Sequence, residues 1–409
     1  MHFRNIVCIL NTVLVSCLSL SGQTAGKVLS SFELLSRPAA AWQNTYSQSF
    51  RTRLPWVEKI EFRSETDRLL LSREEFLTRA TFNGRSQRNA ERNKLTTYAT
   101  WKAEERDAFW HPALKNAYMD LVSWYHHVLD LKILKEREIL LNKEESLYNR
   151  LLQEGIETNL SEYLSLQLEK KTLEFEIENA RAQWMESALS VGADTTQADL
   201  DALWIGPEQM NAVLDSLQME EIRQTGSEMA YLDASAELIR SESRRILDFV
   251  QLKYTVRDDL LLQNRFTVGV GLIIPWRGSA NLKIQEISAR REQLREKERA
   301  QKVQQSMEYR QLRKQFNAIY VSWKQWQEIE NDPSLQALKD KIMTSGRVDS
   351  EKLYGFDKEM LKRKELQQRD LRKMSEYYIE LLHTSGALYK KPLINYLYGL
   401  RTTLSEGNE

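Results

Sequence analysis

AYMDLVSWYHHVLDLKILKEREILLNKEESLYNRLLQEG, residues 117–155, ends on a glycine, and the chain resumes with LSEYLSLQLEKKTLEFEIENARAQWMESALSVG, residues 160–192. In the first half Tyr118, Leu121, Val122, Tyr125, Val128, Leu129, Leu147, Leu151 and Leu152 recur at threes and fours, so they lie along one helical stripe. Lys135, Glu136, Arg137, Lys143 and Glu144 fill the other faces, as on a helix packed on one side. Gly155 breaks the pattern, as a residue free to take positive φ does. Helical spacing then resumes through Leu160, Leu164, Leu168, Leu173, Phe175 and Ile177. The stretch reads as an antiparallel helical hairpin, an element that by itself serves many functions.

The hairpin occurs twice. SGRVDSEKLYGFDKEML, residues 345–361, carries a second tip glycine, Gly346, and Tyr163 and Tyr354 follow their glycines at the same spacing. Gly84 in FNGRS pairs with Gly278 in WRGSA, and Gly192 in SVGA with Gly386 in TSGA, both at a shift of about 194 residues. The tips differ by about 191 and the Val-Ser-Trp triplets ending at Trp124 and Trp323 by about 199, so the copies carry small insertions. The expected organisation is a tandem duplication, with repeats at 24–217 and 218–409 after an N-terminal segment at 1–23.

That segment, MHFRNIVCILNTVLVSCLSLSGQ, has a weakly basic start, a short apolar core and small residues, and reads as a secretory signal peptide. Two processing routes stand open: cleavage after Ser21 or Gln23, or lipidation of Cys17, because Leu14-Val15-Ser16-Cys17 resembles a bacterial lipoprotein box. Both cysteines, Cys8 and Cys17, fall here, so the mature chain has no thiol for a disulfide, a metal or a nucleophile. Lys+Arg 58 balance Asp+Glu 58, which gives no basic excess for nucleic acid. Gly 15 and Pro 7 in 409 residues favour long uninterrupted helices.

Two pairs of strands precede the long helices. In WVEKIEFRS (56–64), Trp56, Ile60 and Phe62 lie opposite Lys59, Glu61 and Arg63. In EEFLTRATF (74–82), Phe76, Thr78, Ala80 and Phe82 share a face and Arg79 lies on the other. ILDFVQLKYTVR (246–257) is β-rich with imperfect alternation. RFTVGVGLIIPW (265–276) alternates best, with Phe266, Val268, Val270, Leu272 and Ile274 on one face and Thr267, Gly269, Gly271 and Ile273 on the other. A two-stranded hairpin is not stable alone. Either a soluble sheet or a barrel closed between subunits, with the apolar face in lipid, accommodates the pattern.

From Gly84 to Gly155 and from Gly278 to Gly346 the chain is long enough, at ~1.5 Å per residue, for helical segments of roughly 100 Å. Pro112 and Pro333 are expected to interrupt them, splitting each into tandem helices. Residues 193–217 read as an irregular connector and 218–245 as helix.

The sequence at this point resembles the TolC-like outer-membrane efflux family. SRPAAAWQNTYSQSFRTRLPWVEKIEF (36–62) is similar to its entry helix ending in Leu-Pro before a strand. FTVGVGLIIPWRGSANLKIQEISARREQ (266–293) resembles its step from strand through Pro-aromatic-x-Gly into a long helix. Residues 151–193 resemble its tip and return helix. The resemblance implies a mainly α fold with a small β part. Long antiparallel coiled-coil hairpins would accompany four β-strands given to a trimeric transmembrane β-barrel. It implies a homotrimer in the outer membrane that extends into the periplasm and acts as exit duct for an inner-membrane pump and a periplasmic adaptor, in efflux or type I secretion.

The same resemblance places Phe266, Val268, Val270, Leu272 and Ile274 against lipid and Thr267, Gly269 and Gly271 in the lumen. It puts Gly155, Thr158, Gly346 and Asp349 at the adaptor-docking tips. Relatives carry an acidic residue six positions after each tip glycine; here those positions are Ser161 and Lys352. Glu162, Asp349, Glu351 and Asp357 lie nearby and can form an entrance constriction in shifted form, against the alternative that they are solvated helix-turn charges. Trp56, Trp276 and Tyr254 are candidates for an interfacial aromatic belt, with core packing as the competing account.

Enzymatic readings find little. The adjacent His126 and His127 point about 100° apart on a helix and are poorly placed to share a metal. His111 and His383 have no spaced partner, and no P-loop, GxSxG or dinucleotide fingerprint occurs. No catalytic or metal residue and no cofactor is assigned. The alternative function is a non-conducting periplasmic coiled-coil adaptor or scaffold.

Overall fold

The computed structural model describes residues 56–66, 74–154, 160–191, 204–217, 225–256, 266–272, 278–335, 337, 341, 350–390 and 393–397. The N-terminal segment, Gly155, Thr158, Ile273, Ile274, Trp276, Gly346 and Asp349 lie outside these residues. Alternating stretches form β1 (Val57–Thr66), β2 (Glu74–Phe82), β3 (Leu247–Thr255) and β4 (Phe266–Leu272). The stretches of helical period form α1 (Arg85–Gln153), α2 (Leu160–Val191), α3 (Pro207–Ser216), α4 (Gly226–Glu242), α5 (Gly278–Glu330) and α6 (Ser350–Thr384). The helix boundaries have local causes. Pro207 opens α3 at a position whose N–H is unbonded anyway. Gly386, at φ 79°, takes the left-handed conformation just after α6.

The described residues fall into two compact units, and each draws on both halves of the chain. One contains residues 36–109 and 222–303. Its sheet is a single antiparallel layer in the order β1-β2-β3-β4. Phe62 pairs with Thr78, Thr78 with Leu252 and Leu252 with Val268, so the two hairpins join through β2 and β3 with every apolar set on one face. In the same unit α4 runs antiparallel to the starts of α1 and α5. Asn93 donates to Glu237 at 3.5 Å, Trp101 stacks on Tyr231 and Arg291 pairs with Asp233 at 2.8 Å. Small buried residues, Ala90, Ala234 and Ser235, serve that packing.

The other unit holds residues 110–221 and 304–409. Here the long helices lie side by side in antiparallel pairs, α2 against α1, α1 against α6, and α6 against α5. Three contacts at different heights fix the first pair: His127 with Ser187, Arg137 with Glu169 and Tyr163 with Asn149. His126 with Ser375 and Lys364 with Glu136 fix the second, and Ser322 with Asp370 is a contact of the third. Tyr118, Leu121, Val122, Met210, Phe316, Tyr378 and Leu382 form the main core, each 0–1% exposed. A second, smaller cluster holds Leu141, Leu166, Leu173 and Ile177.

Two sequence expectations change. Pro112 does not split the first long helix, which runs unbroken from Arg85 to Gln153. A proline inside a helix loses one hydrogen bond and costs about 3 kcal/mol. The packing beside it more than offsets that: Leu114, Ala117 and Tyr118 are buried, and the Tyr389 hydroxyl donates to the His111 carbonyl at 3.2 Å. Pro333, in contrast, lies just past the end of α5 at Glu330. The apolar residues of α2 also do not form one stripe. Leu166, Leu173, Ile177 and Ala188 are buried, whereas Leu160, Leu164, Leu168, Phe175, Met185 and Leu189 are exposed on the opposite side.

Because Pro112 is itself exposed, its replacement removes little packing and restores a backbone donor. Pro112→Ala is expected to raise stability by about 1–3 kcal/mol, read as a higher melting temperature by circular dichroism in detergent.

Candidate functional site

The sheet inverts the ordinary arrangement of a soluble layer. Its apolar face is bare: Phe62 is 79% exposed, Val268 69%, Leu272 67% and Ile60 55%. Left in water, each such side chain forgoes about 1.5–3 kcal/mol of burial. Strand register places Phe266, Val268, Val270 and Leu272 together on this face, with Tyr254, Leu252 and Val250 of β3 and Phe76, Thr78 and Ala80 of β2.

Aromatic rings mark both ends of the face. Phe76, Tyr254 and Phe266 form one cross-strand row, with the Tyr254 and Phe266 rings 4.9 Å apart. At the opposite end the Trp56 ring tilts against Phe82 at 5.2 Å. Ile60, Phe62, Leu252, Val268 and Val270 lie between. Trp56 and Tyr254 were legible as belt candidates; Phe76, Phe82 and Phe266 complete the rows because cross-strand register, which the sequence does not state, brings them together. Apolar residues bounded by two aromatic girdles are the pattern of a strand surface that meets lipid. Strands of 9–11 residues suffice for such a crossing, and β1, β2 and β3 have 10, 9 and 9.

The opposite face carries Lys59, Glu61, Arg63, Glu65, Glu75, Arg79, Gln251, Lys253, Thr267, Gly269 and Gly271. Lys59 pairs with Glu61, Arg63 with Glu65 at 3.4 Å, and Lys253 with Glu75 at 2.6 Å. The two glycines are covered by neighbouring side chains. A Cβ on Gly269 would lie 2.7 Å from the Gln251 amide, and one on Gly271 would lie 2.2 Å from the Phe249 ring. Gly269 is therefore covered by Gln251 and is not an open lining position. Thr267 is exposed.

The acidic residues expected near the tips have separate surroundings. Glu162 lies exposed in the first turn of α2, where a carboxylate complements the helix dipole, and accepts from the Tyr148 hydroxyl at 3.2 Å. Asp357 lines a groove with Glu136, Lys143, Phe356, Met360 and Lys364. Glu351 falls within α6, and its side chain is outside the described residues.

The paired histidines diverge as the helical angle requires. His127 shares a 3.2 Å hydrogen bond with Ser187 of α2, whereas His126 faces α6 and is fully buried. Gln368 donates to His126 Nδ1 at 3.0 Å, leaving Nε2 to donate to Ser375 Oγ at 3.1 Å, and Ser375 in turn donates to the Leu371 carbonyl. That chain suits a neutral imidazole. Burial, reinforced by Arg372 and His127, lowers the His126 pKa to about 3. His127 and His383 are also lowered, both mainly by burial.

No family model and no curated protein matches the chain. Solved structures do. The outer-membrane channel OprN is 12% identical, with a TM-score of 0.56 over 93% of this chain and 90% of that one. The open-state outer-membrane channel MtrE of Neisseria gonorrhoeae is 11% identical, with a TM-score of 0.53 over 88% of each chain. The outer-membrane protein VceC of Vibrio cholerae is 12% identical, with a TM-score of 0.51 over 93% and 96%. The chain has a TolC-like fold, and at these identities the similarity speaks of fold alone.

His126 supplies a pH test. The unfolded imidazole titrates near 6.5 and the folded one far lower, so the unfolded state binds more protons between these values. Stability is then full above about pH 6.5 and falls below it by up to about 1.4 kcal/mol per pH unit. His126→Gln is expected to flatten the melting temperature between pH 7.5 and 4.5, measured by circular dichroism; the residual slope belongs to the other shifted groups, His127, His383, Asp130 and Glu169 among them.

Proposed function

We propose that this chain is the outer-membrane exit duct of a tripartite efflux or type I secretion system and that it works as a homotrimer. The observation that carries the reading is the sheet with a bare apolar face and a polar face closed over by its own ion pairs. Water favours the reverse, and a lipid exterior with an aqueous interior favours this. β1 and β4 are also edge strands of the described sheet. Exposed edges invite further pairing, and four strands are too few to close a barrel. Three chains arranged head to tail, β1 of one beside β4 of the next, supply twelve strands and leave no edge. The exposed stripe of α2 from Leu160 to Leu189 agrees, since a neighbouring copy gives it something to pack against. A soluble scaffold has no use for either apolar surface.

In this reading Phe266, Val268, Val270 and Leu272 meet lipid, and Thr267 and the covered Gly269 and Gly271 face the lumen. The helices continue the duct through the periplasm towards the adaptor and the inner-membrane pump, with Gly155, Thr158, Gly346 and Asp349 at the docking tips and Glu162, Glu351 and Asp357 near the entrance. The duplication legible in the sequence would supply the two hairpins of each chain from one ancestral unit. The structures it resembles are outer-membrane channels, which supports the assignment.

Native mass measurement in detergent is expected to give a trimer; a well-folded monomer overturns the shared barrel. Arginine at Val268 or Val270 is expected to cost ~2–4 kcal/mol near the bilayer midplane and to reduce outer-membrane insertion. Arginine at exposed Thr267 leaves insertion intact and alters conductance. Equal insertion defects from both faces would mean that the sheet does not face lipid.

A further inference from the structure

We propose that Arg79, spread on the Phe249 ring near the middle of β2, makes the barrel section of the duct favour anions, organic carboxylates and sulfonates among them, separately from the acidic residues placed near the entrance; the inference rests on the duct reading above.

Among the described residues that strand register sets on the polar face, four cations accompany three carboxylates. Lys59, Arg63 and Lys253 each have a partner, namely Glu61, Glu65 and Glu75. Arg79 has no ion pair among the described residues. Its cross-strand neighbours are Glu61, which Lys59 holds, and the neutral Gln251, which bends over Gly269. Its guanidinium carbon instead lies 3.6 Å from the centre of the Phe249 ring.

The ring can lie there because Gly271 has no side chain to lift it from β4. Gly271 thus seats Phe249, and Phe249 seats Arg79. Stacking uses the face of the guanidinium; its Nε is buried without a partner, and the two Nη groups remain for a planar oxyanion, which they bind through two parallel hydrogen bonds. The Phe249 ring adds an apolar shoulder for an aromatic or aliphatic body attached to that oxyanion. In a trimer three such groups lie at one height, and a confined passage with low-dielectric walls strengthens their field.

The test uses full-length trimers in planar bilayers under a potassium chloride gradient, with benzoate as the organic anion. Wild type is expected to show a reversal potential on the chloride side and a current reduced by millimolar benzoate. Arg79→Gln should lower the chloride-to-potassium permeability ratio roughly twofold or more and abolish the benzoate effect. Arg79→Lys should keep the chloride preference but lose most of the block, because a lysine lacks the fork. Conductance steps with the wild-type reversal potential in Arg79→Gln, or full benzoate block in Arg79→Lys, overturn this inference and leave the duct standing. If wild-type trimers give no conductance steps, the duct reading falls and this inference with it.

Discussion

The structure depends on a sheet that cannot satisfy itself. Two hairpins join through β2 and β3 into four strands, which leaves β1 and β4 as edges and one whole face of Ile60, Phe62, Leu252, Val268, Val270 and Leu272 uncovered. Unpaired strand edges and uncovered apolar area are both costly in water, and the described residues of a single chain remove neither. Closure between copies within a membrane removes both. A helix laid across the sheet would hide the apolar face and leave the edges. The described residues place no helix there.

The helical unit repeats the same incompleteness in another form. α2 buries Leu166, Leu173, Ile177 and Ala188 within its own chain and presents Leu164, Leu168, Phe175 and Leu189 on the far side. A helix with apolar residues on two opposite faces belongs between two partners. α1 provides one of them. The other is not found among the described residues, and neither is a strand that continues β1 or β4. Both units therefore leave surfaces uncovered among the described residues, one through backbone edges and one through side chains.

Much of this is legible in the sequence. Strict alternation placed β2 at residues 74–82 and sorted Phe266, Val268 and Val270 from Thr267, because a period of two leaves no freedom about which residues share a face. The ends of α2 and α6, at Val191 and Thr384, fall within two residues of Gly192 and Gly386. Other features depend on contacts that sequence spacing does not contain. Periodicity marks every apolar residue of α2 as suited to packing but cannot say that Leu173 finds its partner in the chain while Phe175 does not. Pro112 reads as a break on local grounds, and only the buried Leu114 and Tyr118 beside it explain why the helix passes through. The succession Gly271, Phe249, Arg79 spans three strands and appears only when register is known.

Charge has different tasks in the two units. On the sheet, pairing neutralises three cations of the polar face, Lys59, Arg63 and Lys253. Among the helices, Glu169 is held by Arg137 of α1 at 2.9 Å and by Lys358 of α6 at 2.6 Å. Burial pushes its carboxyl up, but the hydrogen bonds from Lys358 and Arg137 more than offset this, leaving its pKa below the ordinary glutamate value. A half-buried pair of this kind adds little net stability, because desolvation consumes most of the Coulomb energy. Its effect is on register. The small apolar cluster around Leu141 and Leu173 tolerates sliding of one smooth helix past another, whereas a carboxylate bonded to two helices at once has its partners at only one offset. Apolar area holds the helices of this region together, and Glu169 fixes where along their length they meet.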